Sequence, residues 1–235
     1  MLELREVVKR YEVGGSVIHA VDGVSMVVAE GELVALYGPS GSGKTTLIQL
    51  IAGLKEPDSG TILVRGRDVV RMSRRDARDY RLRELGIVMP PSSLQEGARA
   101  ITTASLKLTC LMGTRAARRQ IAPLMVELGL AERMAHRIGQ LSMGERQRVS
   151  IALALSCQPS LVLADEPTAS LDRENTRSVL ELLRRLCHER DVALLVVTHD
   201  PEVAGYADRV HELRDGRLEE LPSATTQLLG VPHTP

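Results

Sequence analysis

GPSGSGKTT, residues Gly38–Thr46, decides the fold. The stretch follows the apolar run LVALY (33–37) directly and leads into TTLIQLIAGL, which has helical spacing. The match is Gly38-x4-Gly43-Lys44-Thr45 between a strand and a helix, the setting that a phosphate-binding loop requires. Across Gly38, Pro39, Ser40, Gly41, Ser42 and Gly43, glycines let successive N–H groups curl around phosphate oxygens at the positive end of the next helix. Lys44 can neutralise phosphate charge, Thr45 can place its hydroxyl on Mg²⁺, and Thr46 follows in the same first turn. The plainer alternative, a glycine turn capping a helix, is weakened by that strand–loop–helix context.

Working outward, two further apolar runs, LVLA (161–164) and VALLVVT (192–198), are continuous rather than alternating. Strands of that kind fit a parallel sheet covered on both faces, and each precedes polar residues and then a helical pattern. Residues 1–36 read as short strands broken by turns at Gly14-Gly15, Asp22-Gly23 and Glu30-Gly31. Between Ala98 and Ile138 the spacing becomes helical, with Leu124, Leu128 and Met134 among Arg and Glu. The expectation is one domain over 1–220, an inserted helical lobe at about 91–140, and a loose tail over 221–235.

Composition narrows the class. Thirty basic residues balance thirty acidic ones in a chain of 235. With four Tyr, no Phe and no Trp, there is little material for stacking on bases, so no nucleic-acid partner is expected. The basic run from Arg65 to Arg83 is interleaved with Asp68, Asp76 and Asp79 and reads as a solvated helical face. Cys110, Cys157 and Cys187 lack metal-ligand spacing and read as small buried apolar residues in a reducing compartment. No apolar run approaches the ~18 residues of a membrane span.

Chemistry gathers at the strand ends. LVLADEP (161–167) ends in two carboxylates. Asp165, at the end of its strand, suits Mg²⁺ held through a water; Glu166 can polarise a water for in-line attack on a terminal phosphate. A solvated acidic loop is the bland alternative, and the neighbouring phosphate loop weighs against it. VVTHD ends another strand with His199, which alone reads as a hydrogen-bonded structural residue. LSMGERQRVSIALAL (141–155) opens a helix at Ser142 and Gly144, an exposed N-terminus able to receive an anion, or simply a capped helix.

In order, these elements resemble the nucleotide-binding subunit of ABC transporters, from about Leu2 to Leu221. By that resemblance GPSGSGKT is the Walker A loop, LVLADE the Walker B strand, and LSMGE, with Ser142, Met143, Gly144 and Glu145, the signature. Ala169-Ser170-Leu171-Asp172 corresponds to the D-loop, His199 to the switch histidine, and Tyr11 to the aromatic residue that stacks on adenine. The resemblance implies an α/β fold: a P-loop NTPase core with a parallel sheet, an N-terminal antiparallel β subdomain and the helical lobe. It also implies ATP and Mg²⁺ as ligands. Two chains, identical or not, would close head to tail on ATP, each signature meeting the ATP held by the other chain's Walker A loop. The subunit would hydrolyse ATP to drive transmembrane permease subunits, lying on the inner, cytoplasmic face of the membrane through them. Phrases such as YEVGGSVIHAVDGVS and VVTHDPEVAGYADRV are most similar to the lipoprotein-release, macrolide-export and cell-division subgroup.

One departure stands out. LGIVMPPSS (85–93) aligns with the family's strand-then-glutamine pattern and puts Pro90 where the Q-loop glutamine belongs. Proline cannot approach Mg²⁺ or the attacking water through its side chain. Gln95, five residues on, is the candidate substitute. Met143 replaces a signature glycine, a milder change because Gly144 is kept. The alternative function is therefore a nucleotide-binding interaction module with weak hydrolysis. A small-molecule phosphotransferase is a third reading, and it leaves LSMGE unexplained.

Overall fold

A computed structural model of the chain describes residues 1–220; the expected loose tail, 221–235, lies outside them. The strands are β1 (Leu2–Val13), β2 (Ser16–Val28), β3 (Leu33–Tyr37), β4 (Ser59–Val64), β5 (Arg67–Asp68), β6 (Leu85–Val88), β7 (Leu161–Asp165), β8 (Ala193–Thr198), β9 (Arg209–Arg214) and β10 (Arg217–Glu220). The helices are α1 (Lys44–Ile51), α2 (Arg74–Arg83), α3 (Ala100–Ala104), α4 (Leu106–Met112), α5 (Thr114–Glu127), α6 (Met143–Leu155), α7 (Arg173–Glu189) and α8 (Pro201–Ala204). One sheet is antiparallel, ordered β2-β1-β4-β5; the other runs β10-β9-β3-β8-β7-β6. In the second, β9, β3, β8, β7 and β6 are mutually parallel and β10 closes a hairpin on β9.

The continuous apolar runs have a direct cause. Leu161, Leu163, Leu195 and Val197 face a core shared with α1 and the antiparallel sheet, through Leu47, Ile51, Leu2 and Val24. Their neighbours Val162, Ala164, Leu194 and Val196 face the opposite core, with Val149 and Ile151 of α6, Val179 and Leu183 of α7, and Ile121 and Met125 of α5. Side chains alternate along a strand, so a sheet buried on both faces admits no polar position. Each such Val, Leu or Ile adds about 1.5–3 kcal/mol on burial.

Register positions the chemistry. Leu33 pairs with Leu194 and Tyr37 with Thr198 across β3–β8, while Asp165 pairs with Val197 across β7–β8. The C-terminal ends of β3, β8 and β7 are therefore level and adjacent. In an open α/β sheet that edge is where ligands bind.

Three expectations are corrected. Asp22-Gly23 is no turn: it lies inside β2, where the pairing shifts register between Val7↔Val24 and Lys9↔Val21 and Gly23 takes φ 71°. An extra residue in one strand of an antiparallel pair is a β-bulge, and glycine admits the required backbone. Only the second half of the basic run is helical, over Arg74–Arg83, and Tyr80 within it is fully buried with its hydroxyl on Ile51 O at 3.0 Å. Of the cysteines, Cys187 is buried, its thiol pushed up to about 12 chiefly by burial, whereas Cys110 is exposed.

Candidate active site

The loop after β3 is built by its own protein surroundings. Gly38 N–H donates to Thr198 O at 3.2 Å, tying the loop's start to the end of β8. A side chain at Gly38 would strike the Leu213 carbonyl of β9, and one at Gly43 the Ala20 carbonyl of β2. Gly43 also takes φ 107° as the residue before α1. Gly41 has open space around it and takes φ 84°, so its glycine answers a backbone requirement instead. Gly216, in the β9–β10 turn, donates to Ser42 O at 3.2 Å. None of these buttresses was legible in the sequence, because Ala20, Thr198, Leu213 and Gly216 all lie outside the loop's own stretch of chain.

Lys44 is buried and donates from Nζ to Gly38 O at 2.7 Å and Pro39 O at 2.9 Å. Burial holds its ammonium below the ordinary lysine value, against the pull of Glu166 and Asp165. Thr45 Oγ1 donates to Asp165 Oδ2 at 3.3 Å, joining α1 to the end of β7. Burial raises the Asp165 carboxyl and Glu166 adds to the rise, while Thr45 and Lys44 oppose it. Ser42 Oγ is buried with no hydrogen-bond partner among the described residues. A buried hydroxyl without a partner is costly, and here it lies in the loop expected to hold phosphate.

Glu166 takes φ 46°, a left-handed backbone that costs a non-glycine residue roughly 1 kcal/mol or more and concentrates at functional sites. Its N–H donates to Val197 O at 3.0 Å. Its Oε1 accepts from His199 N–H at 3.0 Å and lies 2.6 Å from His199 Nδ1; Oε2 accepts from Thr198 Oγ1 at 3.2 Å. The histidine that looked structural in isolation thus orients the carboxylate from the next strand. Thr198 was missed, although it is the residue before His199 in VVTHD.

Tyr11 lies on β1 opposite Ile18. Lys55 Nζ donates to its hydroxyl at 2.9 Å and sits 4.8 Å from the ring centroid. Burial would raise the phenol, but hydrogen bonds from Lys55 and Thr46 and the charges of Lys55 and Lys9 lower it.

Ser142 and its neighbours are not joined to this cluster by any hydrogen bond among the described residues. Ser142 caps α6, accepting from Glu145 N–H at 3.2 Å, while its own N–H donates to Glu145 Oε2 at 2.9 Å. Arg133 Nε holds the other Glu145 oxygen at 2.7 Å. Met143 is half-buried and Gly144 buried. Asp172 caps α7, with Oδ1 accepting from Asn175 N–H and Oδ2 from Asn175 Nδ2, each at 2.8 Å.

Pro90 follows β6, whose Val88 pairs with Ala164 beside Asp165. Its carbonyl accepts from Ser93 N–H at 3.0 Å and Ser93 Oγ at 2.7 Å, closing a 3-10 turn over Pro91–Ser93. Gln95 is exposed, its carbonyl accepts from Ala98 N–H at 3.1 Å, and no hydrogen bond joins it to Asp165, Glu166 or His199 among the described residues. It does not fill the place of the missing glutamine in this arrangement.

A family profile described as ABC transporter matches residues 21–169. An uncharacterized ABC transporter ATP-binding protein of Thermotoga maritima is 40% identical over 220 residues, covering 93% of this chain and 94% of that protein. The lipoprotein-releasing system ATP-binding protein LolD of Bordetella pertussis is 41% identical, covering 93% and 95%. The macrolide export ATP-binding/permease protein MacB of Chlorobaculum tepidum is 39% identical over 92% of this chain, which matches 33% of that larger protein. Among solved structures, the dimeric ADP- and Pi-bound post-hydrolysis state of the cassette MJ0796 superposes with a TM-score of 0.84 at 33% identity, over 95% of this chain and 100% of that one.

Proposed function

This chain belongs to the ABC transporter family as its ATP-binding, ATP-hydrolysing component, and from that premise we propose how its residues divide the work. Gly38–Gly43 and Lys44 hold the β- and γ-phosphates, with Ser42 Oγ offering its unused hydroxyl, and Tyr11 stacks on adenine. Thr45 would hold Mg²⁺ through its hydroxyl, and Asp165 would hold it through a water. Their hydroxyl and carboxylate oxygens, already 3.3 Å apart, suit a hard cation that takes few protein ligands and completes its shell with phosphate and water. The ion supplies charge neutralisation at the phosphates.

Glu166 accepts a proton from the attacking water as its oxygen bonds to the γ-phosphorus. The bond from that phosphorus to the β–γ bridging oxygen breaks, and ADP leaves with the electron pair. His199 keeps the Glu166 carboxylate aimed at that water. The single observation carrying this reading is the meeting of Thr45–Asp165 and Glu166–His199 at the level ends of β3, β7 and β8.

Ser142, Met143, Gly144, Glu145 and Asp172 address the ATP of a second chain in a head-to-tail dimer, and the dimer drives transmembrane permease subunits from the inner face of the membrane. The LolD and MacB relatives favour a lipoprotein-handling or export role for that complex. The residue boundaries that support this work are a domain over 1–220 with a helical lobe at 91–140. The interaction-module alternative gains no support from the comparisons.

The test mixes two inactive chains. Lys44→Ala lacks a phosphate site and Ser142→Arg lacks a usable signature, so together they form one intact composite site. Partial ATPase rescue on mixing is the expected result, and no rescue at concentrations where the parent dimerises refutes the head-to-tail arrangement. Copurification of the parent with an integral membrane protein from detergent-solubilised membranes tests the partner.

A further inference from the structure

Two helices that begin at the dimer-facing elements are joined side by side. On α7, Asn175 is fixed by both of its hydrogen bonds to Asp172, one from the backbone and one from the side-chain amide, each 2.8 Å. Its remaining oxygen, Oδ1, points at Gly144 on α6. A Cβ built at Gly144 would lie 2.8 Å from Asn175 Cγ and closer still to Oδ1. A free side-chain end would swing aside, but this amide is pinned. One turn further along the same seam, Arg148 Nη2 of α6 donates to Ser178 Oγ of α7 at 2.9 Å. Gly144 to Arg148 and Asn175 to Ser178 are spacings of four and three residues, the intervals that bring successive turns onto one helix face.

We propose that Asn175 is a positioning residue that locks the signature turn to the D-loop, so that Ser142–Glu145 and Asp172 approach the second chain's nucleotide as one rigid unit. On this view the bare Cα at 144 is demanded from inside the chain, by Asn175, rather than by a phosphate arriving from across the interface. The proposal rests on the head-to-tail reading above. Its mechanical content is that a displacement of Asp172 is transmitted to Gly144 through the short Asn175 side chain, whose amide holds Asp172 Oδ2 while the Asn175 backbone N–H holds Oδ1.

The test is a double-mutant cycle in the full chain with Gly144→Ala, Asn175→Ala and the pair. ATP-driven dimerisation is followed by light scattering, with isolated-chain nucleotide affinity, melting temperature and the Hill coefficient of ATPase measured alongside. Gly144→Ala should raise the protein concentration for half-dimerisation by about tenfold or more, because the pinned amide pushes the turn out of place. Asn175→Ala should leave nucleotide affinity unchanged and lower the Hill coefficient, which loss of fold stability alone would not move. The pair should dimerise as well as Asn175→Ala, the cavity left by the amide accepting the new methyl. A pair as defective as Gly144→Ala alone overturns the proposal, since the glycine would then serve the incoming phosphate. Asn175→Ala with parental dimerisation and cooperativity overturns it too. A parent chain that stays monomeric with ATP removes the head-to-tail reading itself, a failure visible before any variant is made.

Discussion

Pro90→Gln is the perturbation that most directly probes what sets this chain apart. Pro90 has φ −55° and ψ 143°, an extended conformation open to glutamine and compatible with the proline that follows. Its carbonyl contacts with Ser93 do not involve the side chain and survive the change. The cost falls on the unfolded state, where a proline's restriction is lost, and amounts to about 0.4–1 kcal/mol. For a chain of this size that is a fall of roughly 1–4 °C in melting temperature. The gain is one positioned contact to metal and water, commonly worth 10- to 1000-fold in rate, or about 1.4–4 kcal/mol of barrier. Single-turnover hydrolysis at saturating ATP, with and without the membrane partner, should therefore speed at least tenfold while nucleotide affinity holds. Gln95→Ala should change little, because Gln95 is exposed and makes no hydrogen bond to the carboxylate cluster. A parent already fast and indifferent to Pro90→Gln, or one slowed sharply by Gln95→Ala, would refute the reasoning.

Lys44→Ala removes the buried ammonium and should weaken ATP binding by 100-fold or more on the order of magnitude expected for a charge-assisted phosphate contact; equilibrium titration with a fluorescent nucleotide decides it. Glu166→Gln keeps one acceptor oxygen for His199, and its amide nitrogen can donate to Thr198 Oγ1 once that hydroxyl turns, so binding should persist while hydrolysis drops about 10²–10⁴-fold and ATP-bound dimers accumulate on a sizing column; parental turnover would remove Glu166 as the base. Asp165→Asn should melt higher than the parent at pH 7 without metal. Burial raises this carboxyl, so its ionised form costs stability above the folded-state value, and the gain should shrink on acidification and vanish below the ordinary aspartate value of 3.8. Ser142→Arg forfeits the cap on α6 as well as the signature, so a stability loss of about 1 kcal/mol should accompany its failure to dimerise, while isolated-chain ATP binding stays intact.

What could be read from the sequence was what is encoded over short spans. The phosphate loop needs its glycines, lysine and threonine within nine residues, and LVLADE announces a buried strand and its carboxylates together. The Asp22-Gly23 pair misled because the same glycine chemistry serves a turn and a bulge, and only the pairing of β1 with β2 separates them. The strand RVHELR was not read at all: Arg209, Glu212 and Arg214 break the apolar run, yet it pairs with β3 and its Leu213 carbonyl abuts Gly38. Asn175 carried no local signal either. Its meaning comes from Gly144, 31 positions earlier in the chain, across a helix seam that no periodicity displays.

The prolines fit their place better than the missing glutamine suggests. Beyond Val88 the edge strand β6 has no further ladder partner, and the next residue, Met89, is served by one buried side chain: Ser150 Oγ accepts from Met89 N–H at 2.9 Å and donates to Met89 O at 3.0 Å. Pro90 and Pro91 then carry no N–H to be orphaned where the chain leaves the sheet. The exit is thus anchored on α6, the helix that begins at the signature, while the Glu166 carboxylate is held entirely from the end of β8 by Thr198 and His199. On the proposed reading, a proline at 90 leaves Glu166 and its contacts with Thr198 and His199 untouched and confines any deficit to the metal and water side of the site. That separation is why Pro90→Gln should act on the rate of hydrolysis and leave ATP affinity alone; a substitution that moved both equally would mean that the Met89–Ser150 anchor, and with it the signature helix, had shifted.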